Sequence, residues 1–204
     1  MKLFHKNDTP PESYCQGDLL YWPGFYSNQQ ANEFYSACVE QLEWRQEQIK
    51  MFGKQVTIPR LQAWYGDADA KYKYSGLPLT PLPWHETLLT IKEHCQKQLN
   101  THFNSVLANY YRDNNDSMGW HSDNEKQLGL QPTIASLSFG QERKFCVKHK
   151  CSGEKINLTL QSGSLLVMQG DLQQNWQHAL PKSTKPLQGR VNLTFRNIHN
   201  LESS

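Results

Sequence analysis

Five runs in this chain, Phe103 to Tyr111, PTIASLSF, RKFCVKH, INLTLQ and RVNLTFR, place apolar side chains at every second position. That period belongs to a strand with one buried face, and it is incompatible with an amphipathic helix. Clusters of Gly, Pro, Asn and Asp separate the runs, so the later part of the chain reads as short strands in close succession. Two helical patterns precede them. Ser27 followed by Gln30 has the form of a capping box, and Phe34, Cys38 and Leu42 recur every fourth residue, predicting a helix over about 29–44. Pro83 fits the first turn of a second helix, where its missing N–H is not needed, and Trp84, Leu88, Ile91, Cys95 and Leu99 keep one face to about Asn100. Helices first and strands afterwards predict an α+β fold, a β-sandwich or jelly roll with helices on one side. Candidate hairpins around FGK and GDADAK precede the main sheet, as a lid over about 45–80.

The chain has 204 residues, 37% of them hydrophobic and 20% charged, which suits one globular domain rather than a disordered segment. With no repeat or linker, that domain is expected over about 14–198, with tails at 1–13 and 199–204. No apolar run reaches the ~18 residues of a membrane span, and the start, MKLFHKNDTPPESYCQG, has no signal-like run, so a soluble intracellular protein is expected. The cysteines at 15, 38, 95, 146 and 151 are odd in number and scattered, which argues against a disulfide scaffold. A net charge of +2 is too small to demand a polyanionic partner, so any nucleic-acid surface must be a local patch.

Chemistry concentrates in NDSMGWHSDNE, where His121 and Asp123 stand two residues apart and, in extended chain, point the same way. One more histidine would complete a 2-His-1-carboxylate triad of the kind that holds Fe(II) with open positions, and His178 in NWQHALP is the candidate. The competing reading is a solvated loop histidine beside a carboxylate. Zinc is disfavoured because no cysteine pair has suitable spacing. In RVNLTFR, Val191, Leu193 and Phe195 share one face and Arg190, Asn192, Thr194 and Arg196 the other. That polar face is either solvated or the lining of a pocket, and the same-faced Asn109 and Tyr111 in LANYY favour a pocket. Six residues of strand separate the two arginines by ~20 Å, so they suit the two ends of an elongated dicarboxylate better than one carboxylate.

NYYRDNNDSMGWHSDNE, IASLSFG, GSLLVMQG, WQHALP and RVNLTFR, in this order, resemble the AlkB-type Fe(II)/2-oxoglutarate dioxygenases that repair alkylated nucleic acid. The likeness covers about residues 18–198. It implies a double-stranded β-helix, with His121, Asp123 and His178 on iron and Asn109, Tyr111, Arg190, Asn192, Thr194 and Arg196 around 2-oxoglutarate. Arg196 is expected at the distal carboxylate and Arg190 nearer the metal. The implied reaction couples O2 and decarboxylation of 2-oxoglutarate, to succinate and CO2, to hydroxylation of N-alkyl groups on bases such as 1-methyladenine and 3-methylcytosine in DNA. The hydroxylated product sheds formaldehyde.

RLQAWYGDADAKYKYSG resembles the family's nucleotide-recognition hairpin. The resemblance implies Tyr74 stacked with His121 around a flipped base, and Tyr72, Asn124 and Glu125 near its edge. Ordinary strand packing is the alternative for the two tyrosines. Asn124 departs from the second Asp common in the family. Phe52 and Gly53, at a hairpin tip, resemble the finger that wedges into duplex DNA; a phenylalanine folded onto the core competes with that reading. Arg143, Lys148, Lys150 and Lys182 are candidate phosphate contacts, or else the solvated charges of an edge strand. Cys146 and Cys151 read as small half-buried residues rather than metal ligands. The alternatives are the same iron chemistry on RNA, a protein or a small metabolite, and a non-catalytic nucleic-acid-binding module. A monomer is expected, cytoplasmic in a bacterium and nuclear in a eukaryote.

Overall fold

The computed structural model of the chain describes residues 8–51, 53–70, 72–74 and 77–199. Its strands and helices run β1 (Glu12–Tyr14), β2 (Leu19–Trp22), α1 (Asn28–Gln41), β3 (Gln48–Met51), β4 (Lys54–Thr57), β5 (Leu61–Gly66), β6 (Tyr72–Tyr74), β7 (Leu77–Leu79), α2 (Glu86–Leu99), β8 (Ser105–Tyr111), β9 (Met118–His121), β10 (Ile134–Gly140), β11 (Arg143–His149), β12 (Lys155–Leu160), β13 (Ser164–Met168), α3 (Leu172–Asn175), β14 (Trp176–Leu180) and β15 (Arg190–Arg196). A large antiparallel sheet has the order β1-β2-β13-β10-β15-β8-β5, and a smaller one the order β12-β11-β14-β9. The hairpins β3–β4 and β6–β7 stand apart from both.

Alternation along β15 explains the layering. Val191, Leu193 and Phe195 are fully buried on the face that α1 and α2 cover, in one core with Cys38, Leu88, Ile91 and Cys95. The opposite face of the large sheet meets the small one in a second core, where Tyr21, Ile134 and Leu166 pack with Phe145, Val147, Leu158 and Leu180. The jelly roll is therefore a helix layer, a large sheet and a small sheet, with polar β15 side chains between the sheets. Truncating a residue such as Leu193 to Ala costs about 2–5 kcal/mol, because the void cannot close between three packed layers.

Several boundaries differ from expectation. The first helix stops at Gln41, not residue 44, because Leu42 is extended (ψ 147) and the Trp44 indole donates to the Cys38 carbonyl at 3.1 Å, turning the chain back. The second starts at Glu86, where His85 caps it by accepting the Thr87 N–H. Pro83 lies before it, and Trp84 instead stacks against Phe195 with its indole N–H on Asp67. The GDADAK segment is not a hairpin. It leaves β5 through a turn closed by Ala70 N–H on the Asp67 carbonyl, and β5 itself pairs with β8 in the large sheet rather than joining a lid. The expected FGK turn does join β3 to β4, with Met51 opposite Lys54 and Gly53 at φ +78, a value glycine adopts without steric cost. At the start of the chain, order reaches into the expected tail, since β1 begins at Glu12. Among the described residues no helix is long and apolar enough to cross a membrane.

Candidate metal centre

His121 ends β9 and faces His178 of β14 in register, with ring centroids 4.2 Å apart. Asp123 follows two residues after β9, held by its N–H on Gln173 Oε1 (2.8 Å), while Ser122 Oγ donates to the Trp176 carbonyl (2.8 Å). These bonds stitch the turn after β9 to β14 and α3. One ligand atom from each of His121, Asp123 and His178 falls within 4.8 Å of the others. His121 Nδ1 lies 2.9 Å from the Gly119 carbonyl, which accepts only, so Nδ1 is the nitrogen that bears a hydrogen there.

The electrostatics suit a cation. Burial alone would push the Asp123 carboxyl up, but Arg196 at 2.9 Å and the two histidines outweigh it and hold the carboxyl at about 2. Burial, and His121 beside it, bring His178 down to about 3, so its imidazole is neutral at physiological pH. One carboxylate and two imidazoles from adjacent elements form a donor set of the kind that binds Fe(II) on one face and leaves the others open.

Beside the triad lies a narrow cleft of about 50 Å³ between the sheets. Asn109, Tyr111, Arg190, Asn192, Thr194 and Arg196 all line it, so the two polar strand faces do meet in one pocket. Arg190 is 2% exposed, with its guanidinium 5.2 Å over the Tyr111 ring and one N–H on Ser138 Oγ (2.9 Å). Burial lowers it to about 10, the charged and titratable groups acting on it are Tyr111, Arg143 and Tyr21, and its Nε has no partner among the described residues. A buried cation without a carboxylate is what an acidic ligand would complete. Asn192 donates to Ser136 Oγ and the Leu137 carbonyl and accepts from Thr194 Oγ1, which fixes the middle of the strand face.

The two arginines stand at the opposite ends from those expected. Arg196 is the one at the triad, bound to Asp123, and Arg190 is the one far along β15 beside Tyr111. Alternation assigns a face to a residue but says nothing of which end of the strand approaches the metal.

Other expected site residues scatter. Arg143 is not a phosphate contact: it is 2% exposed and its guanidinium donates to the carbonyls of Asp113, Asp116 and Pro181. Lys150 Nζ is engaged by the carbonyls of Gln173 and Gln174 near the end of α3, which corrects its reading as a free surface charge. Lys148 is half-buried and Lys182 exposed. Asn124 is exposed and Glu125 half-buried, neither lining the cleft, while Cys146 is half-buried and Cys151 exposed. Tyr72 and Tyr74 lie on the β6–β7 hairpin; the base-stacking role of their side chains, and Phe52 itself, fall outside the described residues. Sequence reading missed Arg60, Gln62, Ser138 and Gln173. Of these, Gln62 was visible as a polar residue inside LQAWYG, whereas the others carry no local signal.

A triad on one sheet facing a basic pocket on the other defines a non-haem iron oxygenase of the 2-oxo-acid type. The chain matches the family described as the 2OG-Fe(II) oxygenase superfamily over residues 18–196. It is 39% identical over 184 residues to the DNA oxidative demethylase ALKBH2 of Homo sapiens, covering 85% of this chain and 70% of that protein. It is 38% identical over 191 residues to the alpha-ketoglutarate-dependent dioxygenase alkB homolog 3 of Mus musculus, covering 89% of this chain; it spans 66% of that protein's length, just under two thirds. The solved structure of OsALKBH1 shares the fold at a TM-score of 0.62 and 16% identity, over 91% of this chain and 100% of that one. The chain belongs to the 2OG-Fe(II) oxygenase superfamily and, within it, to the AlkB-type dioxygenases.

Proposed function

We propose that this chain is an Fe(II)- and 2-oxoglutarate-dependent dioxygenase that removes alkyl groups from N-alkylated bases, such as 1-methyladenine and 3-methylcytosine, in DNA. The observation that carries the reading is the wholly buried Arg190 guanidinium at the far end of a cleft whose other end holds two histidines and an aspartate. His121, Asp123 and His178 would hold the iron. Arg190, Asn109 and Tyr111 would bind the distal carboxylate of 2-oxoglutarate, where the planar guanidinium matches two oxygens at once. Thr194, Asn192 and Arg196 line the metal end, and Arg196 keeps Asp123 ionised and aimed. When bound, iron and 2-oxoglutarate supply the oxidising power of O2, yielding succinate and CO2 and hydroxylating the N-alkyl carbon, which then leaves as an aldehyde.

The substrate side rests on likeness of residues. Tyr72, Tyr74, Asn124 and Glu125 are proposed to hold the flipped base, Phe52 and Gly53 to fill the vacated stack, and Lys148 and Lys182 to contact phosphates. A relative named for oxidative demethylation of DNA supports DNA as the polymer. A monomer inside the cell, where that polymer lies, completes the reading. The test is incubation with Fe(II), 2-oxoglutarate and single- and double-stranded oligonucleotides carrying 1-methyladenine or 3-methylcytosine, with an RNA arm. Stoichiometric formaldehyde and restored base mass are expected. Succinate formation with no change in any oligonucleotide would refute nucleic acid as the substrate.

A further inference from the structure

Gln62 of β5 lies opposite Asn109 of β8, and Arg60, just before β5, is buried beside them. Both donate to one atom, Arg60 Nε to Asn109 Oδ1 at 2.7 Å and Gln62 Nε2 to the same oxygen at 2.9 Å. Arg60 also donates to the Ser117 carbonyl at 3.2 Å, in the connection that leads to His121. With its oxygen held by two donors, one of them charged, the Asn109 amide cannot turn over, because a flip would set its NH2 against two N–H groups. Asn109 is 3% exposed and lines the cleft, so Nδ2 is the atom left to face it. That end of the cleft then presents donors from both Asn109 and Arg190.

We propose that Arg60 and Gln62 are positioning residues that lock the Asn109 amide as a donor and so make the far end of the pocket selective for a carboxylate. The proposal rests on the dioxygenase reading above and adds to it a pair of residues that never touch the cosubstrate. Arg60 further joins the segment between β4 and β5 to the chain entering β9, so the pocket's polarity is set in part by residues outside the cleft.

The test measures 2-oxoglutarate affinity by calorimetry in the presence of Mn(II), together with Mn(II) affinity and melting temperature. Gln62→Glu keeps side-chain length but puts an acceptor where a donor was. The new carboxylate claims the Arg60 guanidinium and draws Nδ2 away from the cleft. Affinity for 2-oxoglutarate should fall about tenfold or more, the scale of one hydrogen bond to a charged group. Mn(II) affinity should hold, and the melting temperature should hold or rise. Arg60→Gln should lose a similar factor and Arg60→Lys, which keeps a charged donor, less. In turnover these variants should raise KM for 2-oxoglutarate, with kcat at saturation within about twofold of wild type. Variants that bind 2-oxoglutarate like wild type, or that lose it only in step with Mn(II) and melting temperature, would overturn the positioning role alone. Failure of the wild-type chain to bind 2-oxoglutarate would overturn the dioxygenase reading and this proposal with it.

Discussion

Arg190 and Arg196 are six residues apart on one strand, yet their surroundings give them different work. Arg196 pairs with the Asp123 carboxylate, whereas Arg190 is buried against the Ser138 hydroxyl and the Tyr111 side chain. Arg190→Met should therefore raise the 2-oxoglutarate requirement by about a hundredfold, the loss of a bidentate charged contact, with Mn(II) affinity little changed. Arg196→Lys keeps a charge but loses the reach to Asp123, and should weaken Mn(II) affinity about tenfold while moving 2-oxoglutarate affinity less. Calorimetric titrations of both variants decide; matching losses of both ligands would show that the two arginines act as one unit. His121→Ala, Asp123→Ala and His178→Ala should each abolish turnover at saturating iron, since each removes a ligand from a three-ligand set. The triad and pocket face were legible in H-x-D, in His178 and in the alternation of RVNLTFR. The end reversal, the burial of Arg143 and the capture of the Lys150 ammonium by two carbonyls were not, because a sequence shows charge but not which carbonyls a loop will bring to it.

At the scale of elements, the connection from β8 to β9 is held by Asp116, which accepts three hydrogen bonds from Arg112, two from the guanidinium and one from the backbone N–H. Burial would raise the Asp116 carboxyl, but those bonds and the charges of Arg112 and Arg143 hold it below the usual carboxylate range. A carboxyl with a depressed pKa stabilises the fold fully above its unfolded value, near 4, and loses that contribution as pH falls through the folded one. Asp116→Asn should lower the melting temperature by about 4 °C at pH 7, the equivalent of about one charged hydrogen bond. The deficit should shrink toward zero below about pH 4. Melts across that range check it, and a deficit constant with pH would mean that packing, not charge, is what the carboxylate provides. The β3–β4 hairpin carries a different expectation. Phe52→Ala should reduce repair of 1-methyladenine in duplex DNA by about tenfold, ~1.4 kcal/mol, and leave single-stranded repair near normal, because only a duplex leaves a vacated stack to fill. Equal losses on both would make the side chain structural. Strand and helix identities were readable from periodicity, but the placement of β5 was not. LQAWYG alternates like any hairpin strand, and its partner β8 begins only at Ser105, 39 residues past Gly66 and beyond any local turn signal.

For the whole molecule, the site lies between two sheets, so ligands that fill it brace both. At concentrations a hundredfold above their dissociation constants, a bound ligand adds about 2.7 kcal/mol. Mn(II) with 2-oxoglutarate should then raise the melting temperature by about 5–10 °C, EDTA should reverse it, and His178→Ala should not show it. Scanning fluorimetry reads all three, and an unmoved wild-type transition would remove the inter-sheet site.

The order of the large sheet also bears on synthesis. β15 sits between β10 and β8, and every other strand of that sheet precedes it in the chain. β8 and β10 are therefore synthesised before the strand that joins them, and until it follows, the edges they turn toward each other lack the partner they have in the finished sheet. That partner is RVNLTFR, which carries both arginines. Until then, the nascent chain has His121, Asp123 and His178 but neither the guanidinium that balances Asp123 nor the one buried beside Tyr111. Assembly thus withholds a complete oxidising centre until the polypeptide around it can be shut.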